Sequence, residues 1–261
     1  MRWCRFQVKD KVAYGIVEGE RVREVRGSPF GRHYRTSKTH RLAAVKLLVP
    51  CWPTGFYAAG GPNYEDHITW VNSHFNRNFK RPTAPHVGYR ANNALIAQGE
   101  PIVYPKNAKD LHYEGELVVV VGKKLKRASE AEALAGVLGY TIGNDVSERV
   151  WQFGDDTWWR AKNSDTFKPM GPWIETDLEV DKAVTTVRLN GKVATGFRTG
   201  EFIFRVGQYL SAMSHHLTLF PGDVLWMGTA GATLPPIKAG DTVEIEIAGI
   251  GVLRNPVIAE K

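Results

Sequence analysis

Two glutamates interrupt the start of an apolar run in the stretch LHYEGELVVVVG, residues 111–122. Side chains alternate along an extended chain, so Glu114 and Glu116 project from one face and lie close enough to repel each other. If other structure covers the stretch, keeping both carboxylates ionised requires a cation or basic groups. Mg²⁺ and Mn²⁺ prefer oxygen donors of this kind. The pair alone fits a metal site and the solvated start of an edge strand equally well.

A second polar segment favours the metal interpretation. The letters YTIGND predict a strand that ends at Asn144 and Asp145, and Asp145 or Ser147 is expected to cap a short helix after it. From that helix Arg149 and Gln152, three residues apart, point in the same direction. A third carboxylate and two anion-binding side chains are therefore expected to converge on the glutamate pair.

Strands must position most of these residues. The first runs, RFQVKD, VAYGIVEG and VREVRG, alternate and are separated by Gly and charged turn residues. Later runs of strand length are PIVYP, ELVVVVG, AVTTVRLNGKVAT, GDVLWMG and DTVEIEIAGIGVLRNPV, with a hairpin turn at Asn190 and Gly191. Helical spacing appears in SEAEALAGVLGY, where Ser129 is the expected N-cap, and in EFIFRVGQYLSAMSHH. The pattern predicts a strand-rich α+β fold.

Length and composition limit the classes that need to be considered. The chain has 261 residues, 43% hydrophobic and 23% charged, which is ordinary for a soluble globular protein. An apolar passage stops at Pro50 and Pro53, which predicts a small N-terminal domain over residues 1–52 and a main domain over 53–261. The two cysteines form no CxxC pair, which argues against a thiolate zinc site. With no secretory signal and no run long enough to span a bilayer, we expect a cytoplasmic protein without a membrane partner.

Positive charge raises the alternative of nucleic-acid binding. The net charge is +7, and the segment GRHYRTSKTHR, residues 31–41, is strongly basic. The other Lys and Arg residues are scattered, and the sequence contains no repeating basic and aromatic motif. We interpret the segment as a solvated loop and expect no nucleic-acid partner.

Five motifs in one order resemble the fumarylacetoacetate hydrolase family. They are NYEDH at 63–67, YEGELVVVVGK at 113–123, NDVSERVWQ at 144–152, WRAKNSDTFKPMGPWI at 159–174 and GDVLWMGT at 222–229. The resemblance runs from about Phe56 to the C-terminus. It implies a mixed β-sandwich roll with long loops over a metal site and a small N-terminal domain, usually assembled as a homodimer.

The resemblance also implies the roles of individual residues. The family positions that hold Mg²⁺ or Mn²⁺ are occupied here by Glu114, Glu116 and Asp145. The positions that contact substrate are occupied by Arg149, Gln152, Lys162 and Thr229. Family substrates are small anionic 2-oxo acids or their enols, and the metal ion acts as a Lewis acid that stabilises an enolate. Lys162 would add positive charge beside the enolate oxygen or donate a proton.

His67 matches the family histidine that serves as general base. The alternative is a histidine that only hydrogen-bonds its own loop. Hydrolase and decarboxylase members often pair this histidine with a glutamate three residues later, whereas this chain has Trp70 there. Activation of water is therefore less expected than transfer of a substrate proton.

Arg90 marks a second departure from the family pattern, upstream of the predicted strand that carries Glu114 and Glu116. Relatives commonly show Lys-Pro where this chain reads VGYRANNAL. Arg90 is expected either to line the cleft and grip a distal carboxylate of the substrate or to lie exposed on a loop.

Three functions of different classes follow. The first is a metal-dependent isomerase or tautomerase of an unsaturated 2-hydroxy or 2-oxo dicarboxylate, of the 2-hydroxyhepta-2,4-diene-1,7-dioate type, in the breakdown of aromatic compounds. The second is a carbon–carbon bond hydrolase of an acylpyruvate, in which His67 works alone or with a recruited acid such as Glu65. The third is a non-catalytic protein that binds a metal ion and an anion.

Overall fold

Strands dominate the structure, a computed structural model that describes residues 1–231 and 234–261. Within those residues nineteen strands and five α-helices follow one another along the chain. The strands are β1 (Arg2–Val8), β2 (Lys11–Glu18), β3 (Arg21–Gly27), β4 (His33–Arg41), β5 (Lys46–Leu48), β6 (Phe56–Ala59), β7 (Val87–Tyr89), β8 (Leu95–Ile96), β9 (Ile102–Tyr104), β10 (Leu111–His112), β11 (Gly115–Val121), β12 (Val137–Asn144), β13 (Ser147–Glu148), β14 (Lys168–Glu175), β15 (Val184–Leu189), β16 (Lys192–Arg198), β17 (Val224–Trp226), β18 (Thr242–Ile247) and β19 (Gly251–Ala259). The helices are α1 (Glu65–His74), α2 (Glu130–Ala135), α3 (Arg149–Phe153), α4 (Trp159–Asn163) and α5 (Val206–His216). The strand-rich α+β prediction is confirmed.

Most strands belong to one of two mixed sheets. The larger runs β4-β3-β2-β1-β14-β12-β11-β17-β6-β7, with β5 paired to β1 and β8 to β14, and the smaller runs β16-β15-β18-β19-β9. The first four strands are antiparallel neighbours, and alternation predicted the first three of them. They join the larger sheet where Arg2 pairs with Glu175 and Trp3 with Ile174. Strands of the predicted N-terminal domain and of the predicted main domain share this sheet. The division of the chain at residue 52 stays a prediction.

The strand β11 lies in the middle of the larger sheet and is buried on both faces. All seven of its residues are buried. Leu117 and Val119 pack into a cluster that includes Ile245 of the smaller sheet, while Val118 and Val120 pack into a second cluster on the opposite face. The solvated edge-strand interpretation is therefore wrong, since β12 and β17 flank β11.

Two local predictions, a helix N-cap and a hairpin turn, are confirmed. Ser129 forms a capping box with Glu132 at the start of α2. Asn190 and Gly191 both have positive φ, 53° and 77°, as the two-residue hairpin between β15 and β16 requires. The predicted helices were too long, because VLGY belongs to β12 and EFIF precedes α5.

The basic segment at residues 31–41 is largely a strand rather than a loop. It forms β4, which pairs with β3 at the edge of the larger sheet, and most of its side chains are exposed. The segment shows no alternation of apolar and polar residues, because polar side chains lie on both faces of this edge strand. None of the helices in the described ranges is long and apolar enough to cross a membrane.

Candidate metal centre and substrate cleft

The pairing of β11 with β12 brings two acidic residues together at the strand ends. Gly115 pairs with Asn144, so the next residues out, Glu114 and Asp145, face each other. The Asp145 N–H donates to the Glu114 carbonyl at 2.9 Å, and the Glu114 N–H donates to the Asn144 side-chain oxygen at 3.0 Å. Backbone hydrogen bonds thus fix the two carboxylates side by side.

Gly115 is small because the second sheet approaches it closely. A Cβ at this position would lie 2.8 Å from Val187 Cγ2 and 3.1 Å from Ile245 Cγ2, which is closer than van der Waals contact allows. The residues on either side, Glu114 and Glu116, therefore point away from the smaller sheet. The Glu-Gly-Glu order packs the two sheets on one face and presents two carboxylates on the other.

Glu114, Glu116 and Asp145 form a compact acidic trio. One ligand oxygen of each lies within 4.8 Å of the others, and all three residues are buried. Burial, followed by the charges of Asp145 and Glu114, raises the pKa of Glu116 to about 8. Its oxygen accepts the Gly228 N–H at 2.9 Å, and within the described ranges no basic side chain forms an ion pair with it. A buried carboxylate without its own cation, beside two more oxygen donors, fits a hard divalent ion such as Mg²⁺ or Mn²⁺.

Glu114 is compensated by two basic residues from consecutive helices. Arg149 Nη2 of α3 lies 2.6 Å from Glu114 Oε1, and Lys162 Nζ of α4 lies 2.6 Å from Glu114 Oε2. Burial on its own would raise the pKa of Glu114, but Lys162 and then Arg149 outweigh it and lower the pKa to about 2. Glu114 therefore stays ionised.

Asp145 is held by three cations. Arg90 makes a bidentate pair with it, Nε to Oδ1 at 3.1 Å and Nη2 to Oδ2 at 2.9 Å. Lys162 Nζ lies 2.8 Å from Oδ2, and Lys168 Nζ lies 2.8 Å from Oδ1. Against the opposing effect of burial, Arg90, Lys162 and Lys168 hold the pKa of Asp145 well below its usual range. Arg90 is thus in the cleft, with its side chain only 3% exposed, at the acidic trio rather than at a distal position.

The short helix α3 positions Arg149 and Gln152, but its cap differs from the expectation. Glu148 is the N-cap and accepts the Trp151 N–H at 2.6 Å, so the predicted caps Asp145 and Ser147 are wrong. Ser147 donates instead to the Asp145 carbonyl, because the two-residue strand β13 separates Asp145 from the helix. Arg149 and Gln152 do face the same way, with Nη1 donating to Oε1 at 2.7 Å.

His67 lies on α1, and no acidic side chain among the described residues forms an ion pair with it. Its ring stacks on Trp70, with centroids 5.9 Å apart and 26° between the planes. Nδ1 is buried and has no hydrogen-bond partner among the residues described. Burial lowers the pKa of His67 to about 4, although Glu114 acts in the opposite direction. Glu65, the acid that a hydrolase was expected to recruit, pairs instead with Arg81 at 2.7 Å and is about half exposed.

All nine residues singled out from the sequence line one cavity of about 420 Å³. Its buried side chains include the acidic trio, Arg149, Lys162 and Thr229, and exposed residues on the loop after α1 lie at its rim. The structure thus brings together His67, Arg90, Glu114, Glu116, Asp145, Arg149, Gln152, Lys162 and Thr229. Their roles in catalysis and binding stay predictions.

Sequence reasoning missed three basic residues of the site. Lys168 is the first residue of β14 and is fully buried against Asp145. Like Glu114, Lys168 is a charged residue at the start of an apolar strand, so the sequence carried the same kind of signal for both. Arg77 and Lys80, at the exposed rim, follow α1 in the polar segment NRNFKR, which carries no signal of its own.

Comparison with known families accounts for most of the chain. Residues 57–258 match the family described as fumarylacetoacetate (FAA) hydrolase C-terminal. The chain belongs to the fumarylacetoacetate hydrolase family. Residues 1–50 match the N-terminal family described as Rv2993c-like. The resemblance seen in the five motifs is confirmed, and with it the family's mixed β-sandwich fold.

Two isomerases and a hydrolase of similar length cover the chain. 5-carboxymethyl-2-hydroxymuconate delta-isomerase from Mycobacterium smegmatis is 38% identical, with a TM-score of 0.90 over 100% of both chains. 2-hydroxyhepta-2,4-diene-1,7-dioate isomerase from Mycobacterium marinum is 38% identical, with a TM-score of 0.89 over 100% of this chain and 99% of that one. 2,4-didehydro-3-deoxy-L-rhamnonate hydrolase from a Sphingomonas species is 34% identical over 98% of this chain and 96% of the relative. The chain is an enzyme of this isomerase and hydrolase group, which sets the non-catalytic alternative aside.

Proposed function

We propose that this enzyme is a divalent-metal-dependent isomerase or tautomerase of an unsaturated 2-oxo or 2-hydroxy dicarboxylate, of the 2-hydroxyhepta-2,4-diene-1,7-dioate type, in aromatic catabolism. The observation that carries the proposal is a buried acidic trio in the same cavity as a histidine that stacks on Trp70 and lacks an acidic partner in the described structure. The two mycobacterial isomerases that cover the whole chain are consistent with this class.

Glu114, Glu116 and Asp145 would hold Mg²⁺ or Mn²⁺. When bound, the ion would supply Lewis-acid stabilisation of the enolate that forms as a proton leaves the substrate. The chain supplies further positive charge close by, since Lys162 lies against both Glu114 and Asp145. In a buried cavity such charges act strongly, because little water screens them.

Arg149 and Gln152 would orient the substrate's 2-oxo carboxylate. Both line the cavity, and the hydrogen bond between them holds the guanidinium and the amide next to each other. A guanidinium can bind a carboxylate through two N–H groups, which fixes its plane as well as its position. Thr229, three residues beyond the end of β17, contributes a hydroxyl to the same cavity.

His67 would carry the proton between two positions of the substrate. At neutral pH the imidazole is neutral, since burial lowers its pKa to about 4, and a neutral ring can accept a proton. Tautomerisation takes a proton from one atom and delivers one to another without consuming water. A histidine without a paired acid suits this task better than the activation of water.

A second carboxylate on the substrate would meet positive charge at the cavity rim. Arg77 and Lys80 are exposed and line the cavity, and Arg77 is held 4.5 Å above the ring of Phe153. The loop that carries them is tied to α1, because the Asn72 side chain bonds both the N–H and the carbonyl of Phe79, at 2.7 and 3.0 Å. These contacts favour a dicarboxylate over a substrate with one acidic end.

The alternative function is hydrolysis of a carbon–carbon bond in an acylpyruvate. The observation that favours it is the likeness to a hydrolase over nearly the whole chain. His67 would then have to activate water without Glu65, which is paired with Arg81.

One experiment separates the two functions. Purified enzyme with Mg²⁺ is incubated with 2-hydroxyhepta-2,4-diene-1,7-dioate and, separately, with acetylpyruvate. Ultraviolet absorbance follows each substrate, and mass spectrometry gives the masses of the products. We expect the dienol band of the first compound to disappear with no change in mass, and the acetylpyruvate band to persist. Release of pyruvate from acetylpyruvate would support the hydrolase instead, and inertness towards both compounds would contradict both assignments.

We further propose a cytoplasmic homodimer that binds neither nucleic acid nor membrane. The basic side chains of β4 are spread along an exposed edge strand and lie outside the cavity that contains the acidic trio, so they give no reason to expect a nucleic-acid partner. Light scattering coupled to size exclusion would measure the assembly, and a gel shift at physiological salt would detect nucleic-acid binding.

A further inference from the structure

Lys168 is a buried charge to which the proposed reaction gives no task. Its Nζ lies 2.8 Å from Asp145 Oδ1 and 2.9 Å from each of the carbonyl oxygens of Val146 and Phe167. A neutral amine has two N–H donors, whereas an ammonium has three. Burial lowers the pKa of Lys168 to about 7, while the charge of Asp145 acts in the opposite direction. Three acceptors around one nitrogen match the three N–H donors of the charged form, and the side chain is 0% exposed.

A lysine at this position is unfavourable for the fold alone. Lys168 begins β14, and its strand neighbours Pro169 and Met170 are also buried. Desolvating an ammonium is costly even when it is paired, and an apolar side chain of similar volume is often as stable or more stable. Its charge is therefore better explained by an effect on the acidic trio than by packing.

The charge count around the trio shows what that effect is. Three carboxylates face four cations, which are Arg90, Arg149, Lys162 and Lys168. Even with all three carboxylates ionised, one positive charge is in excess before a divalent ion binds, and the ion adds two more. Lys168 contacts an Asp145 oxygen directly, so it repels an ion that binds through Asp145.

We propose that Lys168 is a resident cation that weakens divalent-metal binding at the acidic trio, an inference that rests on the proposed metal site. Two effects of Lys168 oppose each other, since the same ammonium repels the ion and helps to orient Asp145. Arg90 already fixes Asp145 with two hydrogen bonds, so orientation survives the loss of Lys168. Repulsion between a unit charge and a divalent ion a few ångströms apart is worth at least about tenfold in affinity, even at an effective dielectric constant near 20, and it outweighs the lost orientation.

The test is calorimetric titration of Mn²⁺ into the full chain and four variants. Lys168→Met removes the charge and keeps the length of the side chain, and Lys168→Gln removes the charge but keeps a donor for the carbonyls. Lys11→Met removes one positive charge from a lysine that pairs with Glu24 in the N-terminal strands, as a control for net charge. Glu116→Ala removes one member of the trio.

We expect both Lys168 variants to bind Mn²⁺ about tenfold or more tightly than the unaltered chain, and Lys11→Met to bind with unchanged affinity. Circular dichroism establishes which variants fold, and either folded Lys168 variant is sufficient. Unchanged or weaker binding by the folded variant, with binding still abolished in Glu116→Ala, overturns the role of Lys168 and leaves the metal site intact. Absence of binding in every protein overturns the metal site together with this inference.

Discussion

The ring of Trp70 covers the ring of His67, with centroids 5.9 Å apart and the planes 26° from parallel. The two residues are one turn apart on α1, so any side chain at position 70 lies beside the imidazole. An acid here would hold the imidazole by a hydrogen bond and favour its charged form. An indole offers no acceptor for the imidazole, and Nδ1 has no partner among the described residues.

Substitution of Trp70 by Glu is expected to raise the pKa of His67. A carboxylate within reach of the ring stabilises imidazolium and opposes the burial that now lowers the pKa to about 4. The pKa is read from the His67 ring resonances in an NMR titration. Thr69→Glu is the matched control, because it adds the same charge at an exposed position of the same helix. A His67 pKa that moves equally in both variants would contradict a local effect.

Replacement of His67 by Ala is expected to abolish turnover while leaving metal binding in place. The histidine lines the cavity, and among the described residues it belongs to no group of side chains that could hold the ion. General acid–base catalysis contributes roughly 10²- to 10⁴-fold to a rate, so a loss of that size is expected. The rate is followed by ultraviolet absorbance and Mn²⁺ affinity by calorimetry. His74→Ala, at the exposed end of the same helix, is expected to retain activity, and an unaffected rate in His67→Ala would reduce that residue to a structural role.

Glu116 is expected to make the metal-free enzyme less stable as the pH rises. Its pKa in the folded protein is raised to about 8 by burial and by its acidic neighbours, above the value near 4.3 of an unfolded chain. The native state therefore holds a proton that the unfolded state has lost, so the contribution of this group falls between about pH 4 and pH 8. The Glu116→Gln variant removes this contribution.

Chemical denaturation in EDTA at several pH values measures the contribution of Glu116 to the free energy of unfolding. The stability of Glu116→Gln relative to the unaltered chain should rise with pH, by a total on the order of a few kcal/mol. Glu179→Gln, at an exposed position, provides the control. A difference that does not vary with pH would show that Glu116 titrates normally.

The sequence predicted the acidic trio because strand alternation singled out Glu114 and Glu116, the next polar segment added Asp145, and the family resemblance implied the same three residues. Periodicity cannot identify the neighbours of a strand, so it left open whether β11 was an edge, whereas the structure places it between β12 and β17. The N-cap of α3 was misplaced because Ser147 and Glu148 form a two-residue strand with β10, too short to leave a pattern. Lys168 was missed although it begins an apolar strand, because Asp145 and Val146 meet its ammonium only through tertiary packing.

Gly115, the first residue of β11, is expected to tolerate a larger side chain poorly. A methyl group there would lie 2.8 Å from Val187 Cγ2 and 3.1 Å from Ile245 Cγ2, both buried between the two sheets. Overpacking of this kind costs roughly 1 to 3 kcal/mol, so Gly115→Ala should lower the free energy of unfolding by about that amount.

The same substitution should also weaken Mn²⁺ binding. The two sheets have to separate slightly at Gly115, and this strand end carries Glu114 and Glu116 on its other side. Gly31→Ala is the control, since a methyl group there meets no atom within 4 Å, and it should leave both the free energy of unfolding and the metal affinity unchanged. A destabilised Gly115→Ala protein with full Mn²⁺ affinity would show that the carboxylates are positioned independently of the packing between the sheets. A loss of both properties would show that the packing of β11 against the smaller sheet sets the geometry of the acidic trio.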